Sequence, residues 1–155
     1  MSTPSDGVVA IEPGAGLAIP NAAPDGNLTV KALESDTGGA YSLLEWTTTG
    51  SLWVPAHIHP GAEESWYVLE GELTFRVGDR TILAPAGSFV LVPRGMPHSF
   101  ANTGGGVARY LEIFSPGGME RFFEERAAMR NAAPPGGPDQ AALVEMGRRH
   151  GTVRV

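Results

Sequence analysis

The feature that most constrains the fold is a series of short runs rich in Val, Leu, Thr and aromatic residues, separated by turn-forming residues. The runs cover residues 29–33, 41–48, 66–69, 73–77, 81–83, 89–92 and 107–114. Residues of these types favour β-strands, and 21 Gly and 13 Pro supply frequent turns. Gly78-Asp79, between two of the runs, is typical of a tight hairpin. Many short strands at near-even spacing predict an antiparallel sandwich or barrel rather than βαβ units.

The chain of 155 residues has the length of one domain. Residues 1–26 are rich in Gly, Ala and Pro without a period, so we expect an N-terminal arm with one short strand near residues 17–19. Residues 27–114 form the predicted barrel. Residues 115–155 form a predicted C-terminal helical extension.

Two helices are predicted in this extension, both packed outside the barrel. The first is indicated by helical spacing of Met119, Phe122, Phe123, Arg126 and Ala127. Residues 134–138 contain three Pro and two Gly and interrupt the pattern. A second helix would follow and stop at the glycine of position 151.

Composition excludes several functional classes. The net charge is −6 and no basic face is visible, which argues against a nucleic-acid partner. The apolar runs are too short to cross a bilayer. No basic residue precedes Lys31, so the start of a signal peptide is missing and a cytoplasmic location is expected. The chain has no Cys, which excludes disulfides and thiolate ligands.

Three of the four histidines fall in a pattern suited to a metal. On a strand, His57 and His59 point to the same face. The Pro60-Gly61 turn would bring Glu64 back on the neighbouring strand, and His98 would follow a bend onto the opposite wall. Imidazoles with one carboxylate suit Fe, Mn, Co, Ni, Cu or Zn better than Mg or Ca. The alternative is that the His-x-His pair and the nearby glutamates are ordinary packed or surface residues.

The spacing around these residues resembles the two motifs of the cupin family. The first motif is His-x-His, three or four residues, Glu, six residues and Gly, and it matches from His57 through Glu64 to Gly71. The second motif is matched at every position, by Gly87, Pro93, Gly95, His98 and Asn102. One position departs from the family pattern: Ser51 stands where a glycine usually opens the first motif.

This resemblance implies an all-β, double-stranded β-helix (jelly-roll) barrel with one or two C-terminal helices. It implies one divalent transition metal, Fe, Mn, Ni, Co, Cu or Zn, held by His57, His59, Glu64 and His98. Many members are homodimers, so a homodimer is expected. Members catalyse diverse reactions on small molecules, and the fold alone does not choose among them.

A second resemblance narrows the reaction. Residues 115–124 are similar to the segment that follows the barrel in small single-domain cupins of the flavonol (quercetin) 2,3-dioxygenase type. The first hypothesis is therefore a dioxygenase that acts on a flavonol-like or enolic substrate. Glu64 would be catalytic, as a metal ligand or as a general base with a raised pKa.

A substrate pocket is predicted beside the metal. Steps of two along the strands place Trp66 and Val68 on the side of Glu64, and Phe100 on the side of His98. The remaining candidates for the barrel lining are Leu73, Phe75, Val77, Phe89 and Leu91. An apolar cavity of this kind suits a flat organic substrate. The competing interpretation is that most of these residues are core.

Two other functions stay open. One is a non-redox, metal-dependent cyclase, isomerase or lyase, in which the metal polarises a carbonyl. The other is a non-catalytic cupin that binds a metal or a small ligand.

Overall fold

The protein is described here by a computed structural model that covers residues 7–155. The first six residues of the predicted arm lie outside the described residues. The strands are β1 (Leu17–Ala23), β2 (Gly26–Ala32), β3 (Ser42–Thr48), β4 (Trp53–Ile58), β5 (Glu63–Glu70), β6 (Glu72–Val77), β7 (Arg80–Pro85), β8 (Phe89–Val92), β9 (His98–Asn102), β10 (Ala108–Ser115) and β11 (Val153–Arg154). The helices are α1 (Met119–Asn131) and α2 (Gln140–Arg149), with a short 3-10 helix at Glu34–Thr37.

The strands form two antiparallel sheets. One has the order β1-β2-β3-β10-β5-β8, and the other has the order β11-β4-β9-β6-β7. From β4 to β10 the chain passes repeatedly from one sheet to the other, which winds the strands into a double-stranded β-helix. The predicted all-β jelly-roll fold with two C-terminal helices is confirmed.

Alternation along the strands builds the core between the sheets. Residues of β3 and β10 are alternately buried and partly exposed, as expected when every second side chain faces inward. The largest fully buried side chains include Trp66, Tyr110, Phe75, Leu28, Leu44 and Leu73. Aromatic rings form the centre of this core, where the ring of Trp66 lies 4.9 Å from that of Phe75.

The β1–β2 hairpin extends the larger sheet into the predicted arm. Leu17 of β1 pairs with Val30 of β2, and Ala23 pairs with Gly26. The boundary drawn between residues 26 and 27 therefore falls inside a paired hairpin, and the strand expected at 17–19 is longer. The reason is packing, because Ile19 and Ala22 are buried and helix α1 packs against β1.

Three strands, β4, β9 and β11, were not among the predicted runs, and β8 was assigned the wrong face. Strand β11 has two residues and lies in the segment predicted to be helical. Strands β4 and β9 carry histidines and few β-branched residues, so their composition hides them. On β8, Phe89 and Leu91 are exposed, whereas Val90 and Val92 face the core. The prediction that Phe89 and Leu91 line the barrel is therefore wrong. A short run of four apolar residues has no polar position to show which side faces inward.

Turns at glycine connect the sheets. Gly71 joins β5 to β6 with φ +74°, and a Cβ there would lie 2.4 Å from the carbonyl oxygen of Val107. Gly78-Asp79 makes the expected two-residue connection, since Val77 pairs with Arg80. Gly151, predicted to stop the second helix, follows α2 with φ +75°.

The two helices are fastened to each other at the surface. Glu125 of α1 accepts hydrogen bonds from Arg149 at 2.5 Å and from His150 at 2.7 Å. The bond from Arg149, followed by that from His150, lowers the pKa of Glu125 to about 2. Within residues 7–155, no helix has the length and apolar character needed to cross a membrane.

Candidate metal centre and cavity

The two sheets bring the predicted ligands to one point. His57 lies on β4, His59 follows the end of that strand, and His98 begins β9 directly opposite His57. Glu64 lies on β5 of the facing sheet. The prediction from sequence, which places Glu64 on the strand beside the histidine pair and His98 on the opposite wall, is therefore wrong. His98 is the residue beside the pair, and Glu64 faces it from the other sheet. The Pro60-Gly61 turn carries the chain across the barrel instead of back along the same sheet.

The donor atoms converge closely enough to hold one ion. One ligand atom from each of His57, His59, Glu64 and His98 lies within 4.8 Å of the others, and all four residues are buried. The Oε2 atom of Glu64 lies 2.8 Å from the Nε2 atom of His98 and 3.0 Å from that of His59. Its distance to the Nε2 atom of His57 is 3.9 Å. Ligand bonds of roughly 2.0–2.2 Å to a transition metal need donor atoms at such separations.

Each imidazole is oriented by a backbone carbonyl. The Nδ1 atom of His57 donates to Pro55 O at 2.8 Å, and that of His98 donates to Met96 O at 2.9 Å. The Nδ1 atom of His59 lies 3.2 Å from Gly151 O. Because a carbonyl only accepts, Nδ1 carries the proton and Nε2 is left to ligate.

An unsatisfied atom supports the same interpretation. The Nε2 atom of His59 is buried and, although Glu64 Oε2 lies 3.0 Å away, it has no hydrogen-bond partner among residues 7–155. A buried nitrogen without a partner is costly. A cation bound by Nε2 would satisfy it, so the donor set fits a transition metal.

The turn before His98 is held against the ligand residue His59 by a backbone hydrogen bond. Gly95 has φ +74°, and its N–H donates to the carbonyl of His59 at 2.9 Å. Asn102, at the far end of β9, donates to the carbonyls of Thr49 and Gly106. Asn102 therefore fixes the loops at the barrel end and takes no part in the donor cluster.

The electrostatics of Glu64 differ from expectation. Burial alone would raise the pKa of its carboxyl, but its interactions with the three close imidazoles lower it to well below its usual range. The predicted raised pKa is therefore wrong. For His98, burial acts to lower the pKa, but the hydrogen bond to Glu64 and its charge raise it overall. Glu64 is an ionised carboxylate, suited to a cation.

A cavity of about 310 Å³ opens beside the donor cluster. His57, His59 and Glu64 line its floor, and both C-terminal helices line one wall. The helices expected outside the barrel thus close its mouth. The volume is at the lower end of the roughly 300–1,000 Å³ found for small-molecule sites.

The cavity contains only one of the four predicted pocket residues. Phe100 lines it. Trp66, Val68 and Phe75 are fully buried in the core and lie outside its lining. Trp66 nevertheless borders the centre, since its ring lies 5.8 Å from that of His98. The aromatic walls come instead from residues that were not predicted to face the pocket: Trp46, Tyr110, Phe114, Phe122 and Phe123.

The most informative residue that the sequence patterns did not single out is Glu112, a second buried carboxyl in the cavity wall. Its Oε2 atom accepts from Trp46 Nε1 at 2.7 Å and its Oε1 atom from Trp66 Nε1 at 3.2 Å. Burial and the nearby charge of Glu64 raise the pKa of Glu112 well above its usual range. The signal was available, because Glu112 shares the inward parity of Tyr110 and Phe114 on β10.

Comparison with known proteins agrees with this geometry. Residues 48–114 match the Cupin domain family. The HTH-type transcriptional regulator PuuR of Escherichia coli (strain K12) is 34% identical over 70 residues, which cover 45% of this chain and 35% of the regulator. The chain thus spans about a third of the length of this curated relative.

Solved structures share the fold. KdgF from Halomonas sp. superposes with a TM-score of 0.57 at 13% identity, over 64% of this chain and 87% of KdgF. A "predicted oxalate decarboxylase" from Thermotoga maritima gives 0.55 at 23% identity, over 59% and 80% of the two chains. Bacillus subtilis oxalate decarboxylase gives 0.55 at 24% identity, over 62% and 27%. The segment that matches the Cupin domain spans the barrel from the end of β3 to β10, and these solved structures share its fold.

Proposed function

We propose that this protein is a metal-dependent enzyme that acts on a small organic molecule. One observation carries the proposal: four buried donor atoms of the His57, His59, Glu64 and His98 side chains converge at the floor of a cavity of about 310 Å³. A centre with three or four protein ligands leaves coordination positions for a substrate.

The reaction proposed first is a dioxygenation of a flavonol-like or enolic substrate, in line with the resemblance of residues 115–124. When bound, a divalent metal would supply Lewis acidity and, if redox-active, electron transfer to dioxygen. The ion is one of Fe, Mn, Ni, Co, Cu or Zn. Bacillus subtilis oxalate decarboxylase, which shares the fold, has Mn(II) centres, and this makes Mn a natural ion to include in the tests.

The side chains have separate tasks in this proposal. The three histidines hold the ion through Nε2, with their Nδ1 atoms fixed by carbonyls. Glu64 completes the donor set and, as an ionised carboxylate, accepts the proton of the substrate hydroxyl, which leaves the substrate as an oxyanion. Phe100 lies against the apolar body of the substrate, and the helices limit the access of water.

The test combines metal loading with oxygen measurement. Protein loaded with each ion is screened against flavonols and related enols in an oxygen electrode, with substrate loss followed in parallel. Oxygen uptake that matches substrate loss supports the dioxygenase. Conversion without oxygen uptake supports the non-redox alternative. Glu64→Gln should keep appreciable metal and lose turnover, while Glu63→Gln, a neighbour whose side chain is 45% exposed, should keep both.

A second candidate is a non-catalytic, ligand-sensing module. The observation that favours it is the 34% identity to a transcriptional regulator over 70 residues. Tight binding of a small molecule without conversion by any metal form would favour this function over the enzyme.

We also propose that the protein forms a homodimer. Tyr67, Phe89 and Leu91 are 43%, 58% and 52% exposed and lie side by side, because Tyr67 pairs with Phe89 across β5 and β8. An apolar patch on the outer face of an edge strand is suited to association with a second copy.

A further inference from the structure

Helix α1 presents two guanidinium groups to the cavity. Arg126 and Arg130 are four residues apart, so they lie on the same face of the helix, and both line the cavity that contains the metal ligands. The Nε atoms of both are buried and have no hydrogen-bond partner among the described residues. In residues 7–155, neither guanidinium forms an ion pair within 4.0 Å.

Neighbouring arginines behave differently. Arg121 of the same helix pairs with Glu34, and Arg149 of α2 pairs with Glu125. Arg126 and Arg130 face away from these surface carboxylates, and their charges repel one another. A buried Nε–H without a partner and an adjacent like charge are both unfavourable, so an anion bound between the two guanidiniums would stabilise them.

Aromatic rings hold Arg126 at the cavity wall. Its Cζ atom lies 5.1 Å from the ring centre of Phe122 and 4.9 Å from that of Phe123, within cation–π range. Burial lowers the pKa of Arg126 to about 10, with the charge of Glu112 opposing this shift and that of Arg130 adding to it, so Arg126 is still a cation at neutral pH. The carboxyl of Glu112 faces the same cavity, but its two oxygens accept hydrogen bonds from the indole N–H groups of Trp46 and Trp66.

The guanidinium groups and the metal ligands share an aromatic wall. The ring of Phe123 lies 6.4 Å from that of Phe114, and the ring of Phe114 lies 5.4 Å from the imidazole of His59. A molecule that occupies the cavity along this wall has one end at the donor cluster and the other near α1.

We infer that Arg126 and Arg130 form an anion subsite and that the ligand is a compact organic acid. Its carboxylate would pair with the guanidiniums, its apolar body would lie on Phe114 and Phe123, and an oxygen at its other end would face the metal ligands. A carboxylate matches the planar fork of Arg, and the small cavity favours it over a larger anionic group. That the organic acid is a substrate, and not only a ligand, rests on the proposed enzymatic function.

Binding measurements test the subsite without requiring turnover. The zinc-loaded protein is titrated calorimetrically with 4-hydroxycinnamate and 4-hydroxybenzoate, and with 4-hydroxycinnamamide and 4-hydroxybenzamide as neutral counterparts. We expect the acids to bind at least tenfold more tightly than the amides. Arg126→Gln and Arg130→Gln should each weaken acid binding by roughly 10–100-fold and leave zinc content and amide binding unchanged. Arg121→Gln, on the same helix, should bind like the wild type.

Further variants separate the subsite from a structural role. Arg126→Lys keeps the charge but loses the fork, so it should recover part of the affinity for the acids, and thermal unfolding reports whether each variant is folded. Equal binding of acids and amides by the wild type would overturn the inference. So would acid binding that is unchanged in both glutamine variants, since the carboxylate would then bind elsewhere. Arginine-dependent acid binding without turnover of any compound would sustain the subsite while contradicting the proposed enzyme.

Discussion

The Nε2 atom of His98 lies 2.8 Å from the Oε2 atom of Glu64, although the two residues belong to opposite sheets. The pair therefore links the sheets at the bottom of the cavity. In the metal-free chain a proton on Nε2 holds the two together, and a metal ion would take the place of that proton. Protons and metal thus compete for one position, and the dependence of stability on pH should differ between the two forms.

Without metal, the pair should stabilise the fold in an acidic window. The pKa of Glu64 is lowered from 4.5, so its contribution is present above about pH 4.5 and is lost as pH falls through the lowered value. The pKa of His98 is raised from 6.5, so its contribution is present below about pH 6.5 and is lost as pH rises through the raised value. Thermal unfolding in the presence of a chelator should therefore show the largest contribution of the pair to the unfolding temperature between these two pH limits.

Adding a divalent metal should turn this loss of stability at higher pH into a gain, because ligation needs neutral imidazoles and releases protons. The unfolding temperature should then rise, relative to the metal-free form, as pH increases above 6.5. A metal-induced shift that is independent of pH between 5 and 8 would contradict the assignment of these ligands.

Replacing Glu112 should destabilise the barrel. In Glu112→Gln, one oxygen is replaced by an NH2 group that cannot accept from the second indole N–H, so either Trp46 or Trp66 loses its acceptor. A buried donor without a partner costs roughly 1–3 kcal/mol. Urea unfolding followed by tryptophan fluorescence measures this change. Glu70→Gln, whose side chain is 59% exposed, is the control, and equal stability of both variants would show that the indole bonds contribute nothing.

The C-terminal segment should tune the metal affinity. Gly151 O lies 3.2 Å from the Nδ1 atom of His59, and the Oγ1 atom of Thr152 lies 3.4 Å from it. Truncation after His150 removes both groups and should weaken metal binding roughly 10–100-fold, as is usual for the loss of groups that orient a ligand. Competition with a chromogenic chelator measures the affinity. Deleting Val155 alone should have little effect, and identical affinities for both truncations would refute the orienting role.

The apolar patch on β5 and β8 should control association. Leu91→Glu places a charge on its exposed face, and light scattering should show a fall from twice 16.3 kDa to 16.3 kDa. Leu83→Glu is a matched control on β7 of the other sheet, with a side chain that is also exposed. A monomeric wild type, or a Leu91→Glu variant that stays dimeric, would remove the basis for this interface.

Local patterns in the sequence were sufficient for much of this fold. Alternation predicted strands such as β3, β6 and β10, and the 3.6-residue spacing of Met119, Phe123 and Ala127 predicted α1. Motif spacing identified all four residues of the donor cluster. These signals depend on neighbours that are close in the chain, which is why they can be read without a structure.

What could not be predicted depends on contacts between distant segments. Glu64 lies in the sheet opposite the histidines because the chain crosses the barrel at residues 60–61. The turn residues Pro60 and Gly61 do not indicate to which sheet the chain continues. Trp66 was expected in the pocket, but the cavity lies on the other side of the centre, under α1 and α2. Arg126 falls within the helical stripe of α1, but the spacing alone does not show that its side chain lines the cavity.

Metal content and metal affinity, compared between the wild type and histidine variants, show whether the four side chains hold an ion. The purified chain, exposed to Mn, Fe, Co, Ni, Cu or Zn and dialysed, should retain one divalent ion per chain by elemental analysis. His98→Ala should lower the affinity at least about 100-fold, given that even groups behind the ligands contribute roughly 10–100-fold. His150→Ala, which removes the one histidine outside the donor cluster, should bind like the wild type. A wild-type chain that retains no ion, or a His98→Ala variant that binds as tightly as the wild type, would show that these four residues do not form a metal site.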